Sequence, residues 1–84
     1  MLMVKQGIIV AVNEEDRNIM LICEDEYSSR ICFFASDEVK VLNNEGMPMN
    51  FSDLHEQMRV SVIHADFMTM SLPPQTTAYE IRVL

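Results

Sequence analysis

Short runs rich in Val, Ile, Phe and Met alternate along the chain with polar clusters, and no run is long enough for a sustained helix. The apolar runs cover residues 4–12, 19–23, 31–34, 39–42, 58–65 and 78–84, and the clusters between them fall at 13–18, 24–30, 43–52 and 71–77. With only two glycines and three prolines, turns are carried mainly by Asn, Asp, Ser and Glu. This rhythm predicts strands. In the last run Tyr79, Ile81 and Val83 share one face and Glu80 and Arg82 the other, the period of a half-buried strand. In the fifth, Met58, Val60 and Val62 lie opposite Arg59 and Ser61. The first run is apolar on both faces from Ile8 to Val12, as expected where a strand is covered twice or closes a barrel, with Gly7 available for the bend or bulge.

One helical turn is predicted over 51–56, capped by Asn50 or Ser52, with Asp53 and Glu56 near its positive end and Phe51 and Leu54 as its anchors. Pro73 and Pro74 cannot donate to a ladder, so they are expected to end the loop that delivers the chain into the last strand. The whole chain, residues 1–84, reads as one all-β domain: a small OB-like barrel of five or six strands with one short helical turn. A sandwich would usually need about 100 residues.

Charge narrows the function. Thirteen acidic against six basic residues give a net charge of −7, and Lys5, Arg17, Arg30, Lys40, Arg59 and Arg82 are scattered rather than clustered. Nucleic acid is therefore not an expected partner, because phosphate binding needs grouped cations. The longest apolar runs are about five residues, against the roughly 20 that span a bilayer, so no membrane span is predicted. No basic segment followed by an apolar core opens the chain, so no signal peptide is expected. A cytoplasmic protein and a domain excised from a secreted or surface protein are both compatible with that start. The acidic stretches 14–16 and 24–26 lack the alternating spacing of a calcium loop and read as solvated turns.

The set Gly7-Ile8-Ile9, Val12-Asn13, Ile19-x-Leu21, Phe51-x-Asp53-Leu54, Val60-x-Val62, and the closing Pro73-Pro74-Gln75-Thr76-Thr77-Ala78-x-x-Ile81-x-Val83 runs along the chain. Together these residues resemble small bacterial OB-like β-barrel domains of unknown function. The resemblance spans nearly the whole chain and implies an accessory or binding module rather than an enzyme. In such domains a glycine commonly precedes the fifth run where Gln57 stands here, which predicts a looser turn. A weaker similarity, through Gly7-Ile8-Ile9 and the hairpin that follows, is to periplasmic copper-carrying OB barrels, which use Met and His ligands. This chain has no tryptophan to cover a copper ion, and its M-x-M pairs fall in loops.

Eight methionines is a high count, and M-x-M occurs at Met1-Leu2-Met3, Met47-Pro48-Met49 and Met68-Thr69-Met70. Thioethers select Cu(I), which makes Met47, Met49, His64, Met68 and Met70 an alternative soft-metal set. Methionine is also a flexible filler of small cores and contact surfaces, and that is the first reading, with no metal or other cofactor. Cys23 and Cys32 read first as buried free thiols. A hairpin centred on Tyr27-Ser28 would place them opposite each other, with Leu21 opposite Phe34, so a strained disulfide is the alternative and a metal ligand the third. His64, in phase with Val60 and Val62, reads as a rim residue with a backbone partner. His55-Glu56 lacks the second histidine of a zinc protease helix, and two glycines exclude a phosphate loop. No nucleophile has its supporting context, so no enzyme is predicted. The run of Phe67, Met68, Met70 and Leu72 is unusually apolar for a loop and is the predicted contact patch, for a protein partner or a second copy, unless it folds down as a lid.

Overall fold

Asn13 sets the first turn. Its Oδ1 accepts the Asp16 N–H at 3.0 Å, and Arg17 turns back in the left-handed region at φ 52°. The two strands so joined, β1 (Leu2–Asn13) and β2 (Asn18–Cys23), pair antiparallel from Asn13 opposite Asn18 to Gly7 opposite Cys23. The computed structural model describes residues 1–84, with three further strands: β3 (Arg30–Leu42), β4 (Arg59–Ala65) and β5 (Gln75–Val83). Together they form a closed five-stranded barrel in the order β1-β2-β3-β5-β4, all antiparallel except β3 with β5. The all-β, OB-like expectation holds.

Five strands form rather than six because the runs at 31–34 and 39–42 are one strand. The polar residues Ser36, Asp37 and Glu38 remain extended, and the break falls instead in the pairing of β3 with β5, which shifts register between Ala35 and Lys40. β1 serves two neighbours. Its first half pairs with β4, from Leu2 opposite Ala65 to Ile8 opposite Arg59, and its second half pairs with β2. The bulge lies between Ile9 and Ala11, not at Gly7. Gly7 is needed for a different reason: a Cβ there would come within 2.9 Å of the Cys23 Cα and meet the Ile22 carbonyl. A second irregularity, between Ile63 and His64 where β4 pairs with β5, resets the phase of β5. Thr76 and Ala78 point inward, Tyr79 is turned outward, and Ile81 is again inside, so Tyr79 does not share the inner face expected for it.

Ile9, Ile19, Leu21, Phe33, Val60, Val62 and Ile81 fill the barrel and are fully buried. The predicted helical turn is a 3₁₀ turn at Phe51–Asp53, closed by the Asn50 N–H donating to the Asp53 carboxylate at 2.9 Å. Leu54 is buried and Phe51 packs on the core, so this turn plugs one end of the barrel. The Arg17 guanidinium lies 5.7 Å above the Phe51 ring. At the end with Phe51 are also the 14–17 turn and the 43–49 loop. The opposite end carries the start of β1, the β2–β3 turn and the β4–β5 loop.

Candidate functional site

The β2–β3 turn is shaped by Asp25, whose Oδ1 accepts the N–H groups of Tyr27 and Ser29, both at 3.0 Å. Ser28 takes φ 50°, and the Cys23 N–H donates to the Ser29 carbonyl at 2.7 Å. The clamp moves the centre of the hairpin to Glu26, so Leu21 faces Ile31 and Ile19 faces Phe33. Cys32 falls opposite Met20 on the outer face, whereas Cys23 points inward with Ile19 and Leu21. The opposed pair and the disulfide that would follow from it are thus excluded by register, since an odd shift moves a side chain to the other face. Both cysteines are free and buried, and burial pushes both thiols up in pKa, with Lys5 opposing the effect at Cys23.

Charged groups tie this turn to the barrel wall. Arg59 donates through Nε and Nη2 to the two carboxylate oxygens of Glu24, and Nη2 also reaches Gln6 Oε1. The Lys5 Nζ lies 3.6 Å from the Asp25 carboxylate. The Arg59 hydrogen bond holds the Glu24 carboxyl below its ordinary range, and the Ser29 and Tyr27 donors together with Lys5 do the same for Asp25. These contacts fix the turn against the strands β1 and β4.

His64 lies deeper than a rim residue. It is buried beside Phe33, ring centroids 5.3 Å apart in an edge contact, and its Nδ1 is 2.7 Å from the carbonyl of Ala65. That carbonyl must accept, so Nδ1 carries the proton and Nε2 in the neutral ring presents a lone pair. Nε2 is buried with no hydrogen-bond partner. Across the β1–β4 ladder His64 stands opposite Met3, which is half-exposed. Thr76 Oγ1 donates to the Phe67 carbonyl at 2.7 Å and also lies 3.3 Å from the Ala65 carbonyl, pinning the start of the β4–β5 loop over the barrel end.

Beyond Thr76 the loop turns its side chains outward. Phe67 shares a shallow pocket with Phe34, Thr76 and Thr77, but Met70 and Leu72 are 99% and 97% exposed. Leu72, Pro73 and Pro74 form one wall of a groove of about 700 Å³ whose other wall includes Met20, Tyr27 and Arg30. Pro74 ends the loop as expected: its carbonyl accepts the Cys32 N–H at 2.9 Å, which leads β5 into register with β3. The alternative metal set is split. Met47 is exposed and Met49 packs on the core beside Val41 at the Phe51 end, while His64, Met68 and Met70 belong to the other end of a molecule 32 Å long. His55 is also at the Phe51 end, and no three His, Cys, Asp or Glu side chains converge anywhere. The pairing of Met3 with His64 was not foreseen, because it depends on which strand closes on β1.

No family model matches the sequence, and no curated protein is similar to it. In three dimensions the chain is similar to CusF in its Ag(I) form, with a TM-score of 0.70, 9% identity, and coverage of 100% of this chain and 99% of that one. It is also similar to a CusF variant with Cu(II) from Escherichia coli, at TM-score 0.65 and 9% identity, covering 99% of this chain and 91% of that one. What is shared is the fold. At such identity the likeness extends to the barrel order and closure, and the site must be argued from this chain's own side chains.

Proposed function

We propose that the chain is a noncatalytic binding barrel whose contact surface is the β4–β5 loop, with Phe67, Met68, Met70 and Leu72 meeting a protein partner. The observation that carries this reading is the near-complete exposure of Met70 and Leu72 on a loop whose base is pinned by Thr76. A lid would bury those side chains. As it stands they forgo about 1.5–3 kcal/mol each that burial against a partner would return. The groove lined by Tyr27, Arg30 and Pro73 continues the surface and supplies the aromatic and guanidinium groups typical of contact sites. The test is cross-linking from position 70 with a photoreactive side chain, compared between the parent and a Leu72→Ser variant. A partner whose yield falls in Leu72→Ser, with thermal stability unchanged, supports the reading. A variant that melts earlier with no change in cross-linking refutes it and restores the lid.

A second reading is a soft-metal carrier for Cu(I) or Ag(I). It is favoured by the unpartnered Nε2 of His64 opposite the thioether-bearing Met3, and by a fold shared with proteins that bind Ag(I) and Cu(II). Titration of the reduced protein with Cu(I) against a competing chelator tests it. Retention that falls in Met3→Leu and His64→Leu supports a site at this end, and retention equal to theirs in the parent removes it.

A further inference from the structure

The first half of β1 has a neighbour on one side only. From Leu2 to Gln6 it pairs with β4, while its pairing with β2 begins at Gly7. In a strand the N–H and C=O of one residue point to the same side and alternate along the chain. Ile9 exchanges hydrogen bonds with the β4 side, through Met58 and Gln57, so Met3, Lys5 and Gly7 point that way too. Gln6 points to the β2 side, where its carbonyl accepts the Glu24 N–H at 2.8 Å. The peptide groups of Leu2 and Val4 therefore face outward beyond the end of β2. Their side chains are 58% and 59% exposed, and no loop backbone bonds to them.

We propose that this edge pairs antiparallel with the same edge of a second copy, giving a two-fold dimer through a β1–β1 ladder centred on Met3. In that register Val4 of one copy faces Leu2 of the other. The two outward donors and two outward acceptors of each copy are all used, and the ladder stops at Gln6, whose carbonyl is already engaged. Leu2 and Val4 extend an outer apolar strip that continues through Ile63 of β4, so strip meets strip across the axis. Along the ladder itself the two strands carry no carboxylate to oppose the pairing, although the 24–26 turn lies beside it. A protein of net charge −7 repels its own copies, yet β1 holds no Asp or Glu from Leu2 to Asn13 and carries Lys5, and β4 is equally free of carboxylates from Arg59 to Ala65.

Sedimentation and amide hydrogen exchange, each over a range of protein concentrations, test this. The parent should show a reversible monomer–dimer equilibrium, with the Val4 amide increasingly protected as concentration rises. Val4→Pro removes the outward donor without touching the bonds to β4, and loss of that bond in both halves should weaken the dimer by about tenfold or more. Leu2→Lys should weaken it as well, by placing a charge against the Val4 side chain of the other copy, and serves if the proline variant is unstable. A parent that stays monomeric at millimolar concentration, or a dimer that both folded variants leave unchanged, overturns the proposal.

Discussion

Gln57 locks onto Ile9. Its N–H donates to the Ile9 carbonyl at 2.9 Å, the Ile9 N–H donates to the adjacent Met58 carbonyl at 2.8 Å, and Gln57 makes this contact at φ 77°. The turn is therefore tight, not loosened by the missing glycine, and the side chain bears the cost of the left-handed conformation, about 1 kcal/mol for a residue other than glycine. Gln57→Gly relieves that cost but adds freedom to the unfolded chain, so a net gain of about 0.5 kcal/mol is expected in urea unfolding. Gln57→Val, β-branched, should lose about 1 kcal/mol or more. Equal stability of all three would mean that the turn relaxes.

Gly7→Ala tests the crossing point of β1 and β2. A methyl group at this position would press on the backbone of Ile22 and Cys23, which is fixed by pairing and cannot swing away as a side chain could. A loss of about 3 kcal/mol or more is expected, from the overpacking and the disrupted ladder together. A loss below about 1 kcal/mol would show that β1 bends freely here.

How much of this was legible in the sequence depended on the range of the interaction concerned. The strands and the turn at Phe51 follow from local alternation and capping, and the inward phase of Val60, Val62 and His64 from period two alone. The hairpin register did not follow, because one carboxylate, Asp25, captures two N–H groups and displaces the centre of the turn. Nor did the continuity of β3, since Ser36, Asp37 and Glu38 interrupt the apolar runs at 31–34 and 39–42, yet they stay extended where the pairing with β5 breaks. At the candidate site, Phe67, Met68, Met70 and Leu72 stood out as an apolar loop, a contact patch or else a lid, and local pattern does not choose between the two. The meeting of Met3 with His64 joins residues from β1 and β4 and is written in no local pattern.

Acid should loosen the β2–β3 turn. Asp25 and Glu24 are both held below the ordinary carboxyl range in the folded protein, so the unfolded chain takes up their protons more readily. Their contribution is complete above the unfolded carboxyl pKa of about 4 and is lost as pH falls through the lower folded values. Urea midpoints between neutral pH and strong acid should fall along this limb for the parent. Asp25→Asn, which keeps an acceptor but cannot titrate, should fall less steeply. Parallel curves for the two proteins would remove Asp25 from the acid response.

The barrel should be more stable without the imidazole of His64. Its Nε2 is buried and unpartnered, an arrangement that costs about 1–3 kcal/mol, while the bond from Nδ1 contributes about 1 kcal/mol. His64→Leu removes both, and the Ala65 carbonyl keeps only a weak share of the Thr76 hydroxyl 3.3 Å away, because the single proton of that group is directed to Phe67 at 2.7 Å. After the lost edge contact with Phe33, a net gain of up to about 1 kcal/mol is expected. Combining His64→Leu with Thr76→Val should cancel the gain, since the Ala65 and Phe67 carbonyls then both lose the hydroxyl. A gain from His64→Leu, together with weaker Cu(I) retention, would mean that the histidine is kept at the expense of stability, as residues serving a site often are. A loss of about 1 kcal/mol or more instead would show that Nε2 has a partner in solution, and the lone pair would no longer be free for a ligand.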